Sequence, residues 1–261
     1  MKNSSTRTEK RSLKALILAG GRGKRLSSYA KGENKCMLQF GGKPLIEYSL
    51  ENAVELNVEE IIIVVGHLAE GIINTFGNSY NGVPVKYVIQ WEQQGLVHAV
   101  ECSRDALVNS DFILFLGDEF FLNPNHRSLI EPYSEEGAFA VCGVIKVDDI
   151  TEIRKTYSIL FDSDSRRIFR LIEKPGNPQN NLMGTGNIVF KNEILNYIDR
   201  TPINQQRGEK ELPDLIQCAV DDGKKVLYHQ LASTYVNVNT SEDITVIDEI
   251  TSQEKNKRNN L

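Results

Sequence analysis

The chain lacks the two commonest phosphate-binding signatures. A P-loop needs a glycine, four residues, then Gly-Lys-Ser/Thr. Here Gly23-Lys24 is followed by Arg25, and Leu18 stands five places before Gly23. The dinucleotide fingerprint needs a glycine three residues after its second one. After Gly21 and Gly23 that place holds Leu26, which excludes redox chemistry on a dinucleotide fold. No nucleophile elbow is present, so a serine or cysteine hydrolase of that kind is excluded too. Cysteine is scarce: Cys36, Cys102, Cys142 and Cys218 lie far apart, at neither metal-ligand nor redox spacing. They read mostly as buried thiols in a reducing compartment. No stretch approaches about 18 consecutive apolar residues, and no apolar signal core is seen near the start. The expected location is the cytoplasm, with no membrane partner. Positive charge is not in excess, and a net charge of −5 argues against nucleic acid as a partner.

What the chain does have is 261 residues, 40% of them hydrophobic, ample for one packed α/β domain. Near its start Leu16-Ile17-Leu18-Ala19 runs into Gly20-Gly21-Arg22-Gly23-Lys24-Arg25-Leu26. The apolar run reads as a buried parallel strand. The glycines let backbone N–H groups approach a ligand, and Arg22, Lys24 and Arg25 add positive charge. Such a loop suits a polyphosphate.

Apolar, β-branched runs alternate with helical segments. Strands are expected at 15–19, 60–65, 85–89, 112–116 and 138–145, and helices at 44–56, 68–76 and 96–107. That alternation implies a parallel sheet with right-handed crossovers. Beyond residue 145 the texture changes. Strands at 157–161, 168–172 and 185–190 are separated by turn-rich segments. Helices return at 191–198 and about 210–220, and late strands follow at 226–231 and 235–238. Ser241 is expected to cap the last helix, with Asp243 in its first turn. Residues 1–12 read as a disordered tail, 13–253 as one domain and 254–261 as a frayed end.

Ligands of open parallel sheets sit beyond the carboxyl ends of the strands. Gln90 follows one strand and precedes a helix starting at Leu96, whose free N–H groups lie near a ligand. Its amide offers both a donor and an acceptor, which suits a pyrimidine edge. His98 on that helix is read as packing only. Asp118 follows the strand at 112–116, a good place for a Mg²⁺ ligand; Glu119 beside it either assists or is solvated. Glu209-Lys210-Glu211 reads as a solvated helix start helped by the macrodipole.

The order of three motifs carries a resemblance. Ala19-Gly20-Gly21-Arg22-Gly23-Lys24-Arg25-Leu26 is followed by Asn34-Lys35-Cys36-Met37-Leu38 and then by Lys43-Pro44-Leu45-Ile46. This resembles the nucleotidyltransferase family that makes nucleotide sugars, including glucose-1-phosphate thymidylyltransferases and uridylyltransferases. The resemblance implies a Rossmann-like, glycosyltransferase-A-like α/β domain with a mixed, mostly parallel sheet flanked by helices. It implies a nucleoside triphosphate and a small phosphorylated acceptor as partners, Mg²⁺ as cofactor, and assembly into homo-oligomers. Leu18, Ala19, Gly20, Gly21, Gly23 and Lys24 then line the nucleotide, with Gln90 and Gly95 at the base. Arg25 faces the β/γ-phosphates, Lys35 the α-phosphate, and Lys174 the acceptor's phosphate. Glu173, Gly186, Asn187 and Glu211 fall on the acceptor side, and Asp118 with Asn237 on the metal.

The chain departs from the family in two places. Asn237 stands where most members place an aspartate, so the metal should bind less tightly. Ser158 follows Tyr157 where hexose-specific members commonly have glycine, and a side chain there would crowd the sugar. The expected reaction joins a pyrimidine nucleoside triphosphate, dTTP or UTP, to a sugar 1-phosphate with release of pyrophosphate. Two alternatives stay open: a CTP-dependent cytidylyltransferase acting on a small phosphate or phosphonate, and an inactive nucleotide-binding regulatory subunit.

Overall fold

The computed structural model describes residues 11–23, 26 and 32–259. Lys24 and Arg25 of the glycine-rich loop lie outside the described residues, as do residues 1–10. The first half of the chain forms β1 (Ser12–Ala19), β2 (Gln39–Phe40), β3 (Lys43–Pro44), α1 (Leu45–Glu55), β4 (Ile61–Val65), α2 (Ala69–Phe76), β5 (Ser79–Tyr80), β6 (Val83–Ile89), α3 (Leu96–Cys102), β7 (Ser110–Leu116) and β8 (Glu119–Leu122). The second half forms α4 (Arg127–Glu135), β9 (Ala140–Lys146), β10 (Tyr157–Phe161), β11 (Ile168–Glu173), β12 (Leu182–Phe190), β13 (Ile203–Asn204), β14 (Glu209–Lys210), α5 (Leu212–Asp221), β15 (Val226–Ala232), β16 (Thr234–Asn237) and α6 (Ser241–Asn259).

Ten strands make one mixed sheet in the order β11-β10-β12-β7-β1-β4-β6-β5, with β9 beside β12 and β15 beside β9. The strands β6, β4, β1 and β7 run parallel, and β12 closes the β7 side antiparallel. This is the mixed, mostly parallel sheet that the family resemblance implies. The chain leaves β1 for β4 on one side and later adds β7 on the other. Beside β1 the strand order therefore reverses, which opens a crevice at the carboxyl ends where ligands bind. The glycine-rich loop emerges into that crevice.

The two faces of the sheet explain the near-continuous apolar strands. Alternate residues point to opposite faces. Leu16, Leu18, Ile62 and Val64 pack on one side with Val97 and Val100 of α3 and Leu215 and Ile216 of α5. Ala15, Ile17, Ile61, Ile63 and Val65 pack on the other with Ile46 and Leu50 of α1, Ile72 of α2 and Leu129 of α4. Both faces are covered, so every residue of β4 is buried. A third cluster, Leu26, Phe40, Leu45, Phe120, Val238 and Ile247, ties α6 to α1 and β8.

Several boundaries differ from expectation. Strand β1 starts at Ser12, inside the stretch read as tail. It is held there by Ser12 Oγ against Ser110 Oγ at 3.0 Å and by the Arg11–Glu193 ion pair at 2.9 Å. The helix expected over 96–107 ends at Cys102, where the Ser103 hydroxyl donates to Ala99 O at 3.0 Å and competes with the helix ladder. The segment expected as helix from 191 is a 3-10 helix, Asn192–Arg200. The last helix runs past Gln253 to Asn259. Its cap is Thr240 rather than Ser241: Thr240 Oγ1 accepts from Asp243 N at 3.3 Å, and Asp243 Oδ2 accepts from Thr240 N at 2.8 Å. This reciprocal pair is a capping box. All four cysteines are free, with Cys36 and Cys142 buried and Cys102 and Cys218 half-buried. No helix among the described residues is long and apolar enough to cross a membrane.

Candidate active site

One cleft follows the carboxyl ends of β1, β6 and β7. It has two adjoining lobes of about 610 and about 470 Å³ that share Gly23, Lys35, Gln93, Glu209 and Asn239. Leu18, Ala19, Gly20, Gly21, Gly23, Lys35, Gln90, Gly95, Asp118, Glu173, Lys174, Gly186, Glu211 and Asn237 all line it. Their positions span most of the chain, and the fold brings them to one wall-to-wall site.

The part of the cleft beyond β1 is built on glycine. A Cβ at Gly20 would meet Gln90 Oε1 at 2.9 Å, so the loop can lie against Gln90 only without a side chain. Gly23 has φ +56°, the left-handed region that glycine adopts at little cost. Arg22 Nε donates to Gln93 Oε1 at 2.9 Å and bridges the loop to the segment after β6. The segment carrying Lys35 is fixed by Asn34. Its amide donates to Ala19 O at 3.1 Å and His67 O at 2.8 Å, while its oxygen accepts from Cys36 N at 2.9 Å. One buried side chain thus ties the Lys35 turn to the ends of β1 and β4. Lys35 then reaches Asp118 in an ion pair.

Asp118 sits just past β7, where Gly117 N donates to Leu18 O at 2.9 Å. Strand β16 pairs antiparallel with β8, with Asn237 opposite Glu119, and Val238 N donates to Asp118 O at 3.0 Å. This pairing carries Asn237 to the Asp118 side of the cleft from more than a hundred residues away. Asn237 Oδ1 accepts from Asn239 Nδ2 at 2.8 Å. The Asp118 carboxylate and the Asn237 amide oxygen are hard oxygen donors facing cationic or N–H partners. Among the described residues no group of three or more His, Cys, Asp or Glu forms a cage of its own. That set fits Mg²⁺, which is held by one or two protein oxygens together with substrate phosphates.

Glu119 borders the cleft, but its carboxylate is turned into the protein rather than solvated. It is 3% exposed and takes hydrogen bonds from Gly186 N at 2.9 Å, Tyr235 Oη at 2.8 Å and Asn187 Nδ2 at 2.7 Å. Burial pushes its carboxyl up to about 7, against the pull of the Gly186 N–H and the Tyr235 hydroxyl. Between Gly184 and Ile188 strand β12 leaves its register with β9, and Glu119 holds the displaced residues.

Two acceptor-side expectations need correction. Asn187 does not line the cleft. Its Nδ2 is held by Glu119, so its Oδ1 faces His126 and accepts from Nε2 at 2.7 Å. Burial lowers His126 to about 4 and keeps it neutral. Ser158 does not line the cleft either. It is 2% exposed on β10, while its neighbour Tyr157 faces the cleft and packs its ring over Gly184. Alternation along the strand turns the serine away from the cleft, so it crowds nothing there.

The nucleotidyl transferase family matches residues 14–247. The chain belongs to that family. A UTP–glucose-1-phosphate uridylyltransferase of Haloferax volcanii is 33% identical over 215 residues, covering 82% of this chain and 86% of that protein. A glucose-1-phosphate thymidylyltransferase of Streptomyces griseus is 33% identical over 216 residues, covering 82% of this chain and 59% of its own length. The structure of a UTP-bound UGPase from Acinetobacter baumannii shares the fold with a TM-score of 0.81 at 23% identity, covering 93% of this chain and 94% of that one.

Beside Glu173 and Lys174 the cleft of this nucleotidyl transferase carries a cation that sequence reasoning missed. Arg207 lines the cleft, with its guanidinium on Glu173 Oε1 at 2.6 Å and paired to Glu211. Its only local signal is its place just before Gly208-Glu209, which does not reveal the direction of its side chain. Lys174 adopts φ +43°, rare for a residue with a side chain, and its N–H donates to Thr156 O at 2.6 Å. Such strain persists where the surroundings impose it, commonly at functional positions. Glu211 is pushed up to about 7 by burial and by Glu173, with Arg207 pulling the other way. His98, read from sequence as packing only, instead contacts the Gln90 amide at 3.1 Å.

Proposed function

We propose that this protein joins a pyrimidine nucleoside triphosphate to a sugar 1-phosphate and releases pyrophosphate. The observation that carries the reading is the continuous cleft from Gln90, past Lys35 and Asp118, to Lys174 and Arg207. In this reading Gln90 serves the base, Lys35 and Asp118 the triphosphate, and Lys174 with Arg207 the acceptor. The relatives named above support the substrate class.

An acceptor phosphate oxygen attacks the α-phosphorus in line. One P–O bond forms there as the bond to the β-phosphate oxygen breaks, and no protein nucleophile takes part. The protein supplies position and charge. Lys174 and Arg207 hold and aim the attacking phosphate, and Lys35 faces the α-phosphate. Asp118 and Asn237 would hold Mg²⁺, which when bound would supply charge neutralisation on the phosphates. Arg25, proposed for the β/γ-phosphates, and Lys24 lie outside the described residues. Tyr157 and Gly184 floor the sugar end, with Glu173 and Glu211 as hydroxyl acceptors. With Ser158 turned away from the cleft, a hexose is not disfavoured, and the case for a small phosphonate acceptor loses its support.

The test is pyrophosphate release with Mg²⁺ across UTP, dTTP, CTP, ATP and GTP, each against a panel of sugar 1-phosphates, small phosphomonoesters and phosphonates. Release with UTP or dTTP and a sugar 1-phosphate is expected. Release confined to CTP with a small phosphate or phosphonate, or none from folded protein, overturns the proposal.

A further inference from the structure

Gln90 closes β6 with its backbone N–H on Val65 O at 2.8 Å and is 4% exposed. Its amide nitrogen has two partners, Gly95 O at 3.1 Å and His98 Nδ1 at 3.1 Å. A carbonyl oxygen accepts and never donates, so Gly95 decides which end of this amide is nitrogen. His98 must then offer Nδ1 as an acceptor, which places its proton on Nε2, the atom 3.7 Å from Cys102 Sγ. Both amide hydrogens of Gln90 are thereby committed to the protein. Its Oε1 faces Gly20, at the nucleotide end of the cleft, and accepts no hydrogen bond from a described residue.

We propose that His98 is a positioning residue that makes Gln90 an acceptor-only reader of the base. This rests on the nucleotidyl-transfer reading above and sharpens it to one chemical class. The cleft takes a base that presents an N–H to Gln90 Oε1, the N3–H of uracil or thymine. Cytosine has a bare lone pair at N3, and there two acceptors face each other. Its N4 amine reaches Oε1 only by shifting the ring along the cleft. Sites that offer a buried polar partner discriminate strongly against a ligand that leaves it unpaired. Without His98 Nδ1, one amide hydrogen is released, and Gln90 can swing and present a donor as well.

The deciding experiment is binding of UTP, dTTP, CTP and 3-methyluridine triphosphate to the wild type and to His98→Leu and His98→Gln, followed by steady-state kinetics with the preferred nucleotide. In the wild type, UTP and dTTP should bind at least about tenfold tighter than CTP and the N3-methylated nucleotide. His98→Leu should shrink that ratio severalfold, with the effect on nucleotide KM larger than on kcat. His98→Gln carries an acceptor on a side chain of similar reach and should recover much of the ratio. Equal binding of UTP and CTP by the wild type, or an unchanged ratio in His98→Leu, overturns this inference and leaves the nucleotidyl-transfer reading standing. Absence of binding by all four nucleotides overturns both.

Discussion

Lys35 and Asp118 meet as an ion pair at the centre of the cleft, although one stands on a turn after β1 and the other beyond β7. The cation proposed for the α-phosphate and the carboxylate proposed for the metal thus hold each other in place. Lys35→Ala and Asp118→Ala should each lower kcat by about 10²–10³ while leaving the circular dichroism and melting profile near wild type. Near-normal turnover in both variants would refute these roles.

Arg207 and Lys174 should act mainly on the acceptor. Arg207→Ala is expected to raise the acceptor KM by about tenfold or more, since charge-assisted hydrogen bonds are about twice as strong as neutral ones. Arg207→Lys should recover little, because an ammonium cannot span Glu173 and a phosphate with one planar fork. Initial rates against acceptor concentration decide this. An unchanged KM in Arg207→Ala refutes the assignment.

The acceptor affinity should depend on pH through Glu211. Its carboxyl is raised to about 7, so it is largely neutral below that value and gains charge above it. The added negative charge lies beside Glu173 and works against an anionic acceptor. Acceptor KM should therefore rise as pH increases through about 7, and Glu211→Gln should flatten that rise. Comparing the two proteins at each pH cancels the titration of the acceptor's own phosphate. Identical profiles would remove Glu211 from the role.

Gly186 has no room for a side chain. A Cβ there would overlap Leu116 and stand 3.1 Å from Glu119 Oε2. Gly186→Ala should destabilise the fold by about 1–3 kcal/mol through overpacking. It should also lower activity, because the Glu119 contacts that shape β12 must move. Urea unfolding followed by fluorescence measures the first effect.

The cap of α6 separates two neighbouring hydroxyls. Thr240→Ala should cost about 1 kcal/mol, and Ser241→Ala should lie within about 0.5 kcal/mol of wild type. Equal losses would show that the capping box around Asp243 does not govern this helix end.

Much of the scaffold was legible in the sequence because its signals are local. The apolar runs 15–19, 60–65 and 112–116 carry no polar residue except Glu60, and only strands covered on both faces tolerate that composition. The thresholds between strands and helices were less legible. Ser103 ends α3 through a hydroxyl-to-carbonyl bond that depends on the backbone already being helical. Thr240-Ser241-Glu242-Asp243 does match the capping-box spacing, so that cap could have been read correctly from the pattern alone.

The site was legible in its parts and not in its arrangement. Residue types and their places after strands pointed to Gly20, Gln90 and Asp118, and the family resemblance added Lys35 and Lys174. They could not say that Ser158 faces away while Tyr157 faces the cleft, because alternation fixes only that the two differ. They could not show that Asn187 serves Glu119 and His126 rather than a ligand. Arg207 and His98 stayed hidden for a related reason: a side chain's partner on another segment leaves no trace in its own neighbourhood.

The amino-acid sequence by itself determined the strands, the glycine-rich loop and the chemical inventory of the cleft, since each depends on periodicity, backbone freedom or side-chain type within a few residues. Only the tertiary structure decided which groups meet. It paired β16 with β8 to bring Asn237 beside Asp118, buried Glu119 under three donors, and turned the Gln90 amide toward Gly95 and His98. Those outcomes depend on strand register and on how polar groups are satisfied once water is excluded, and both are settled only when distant segments pack.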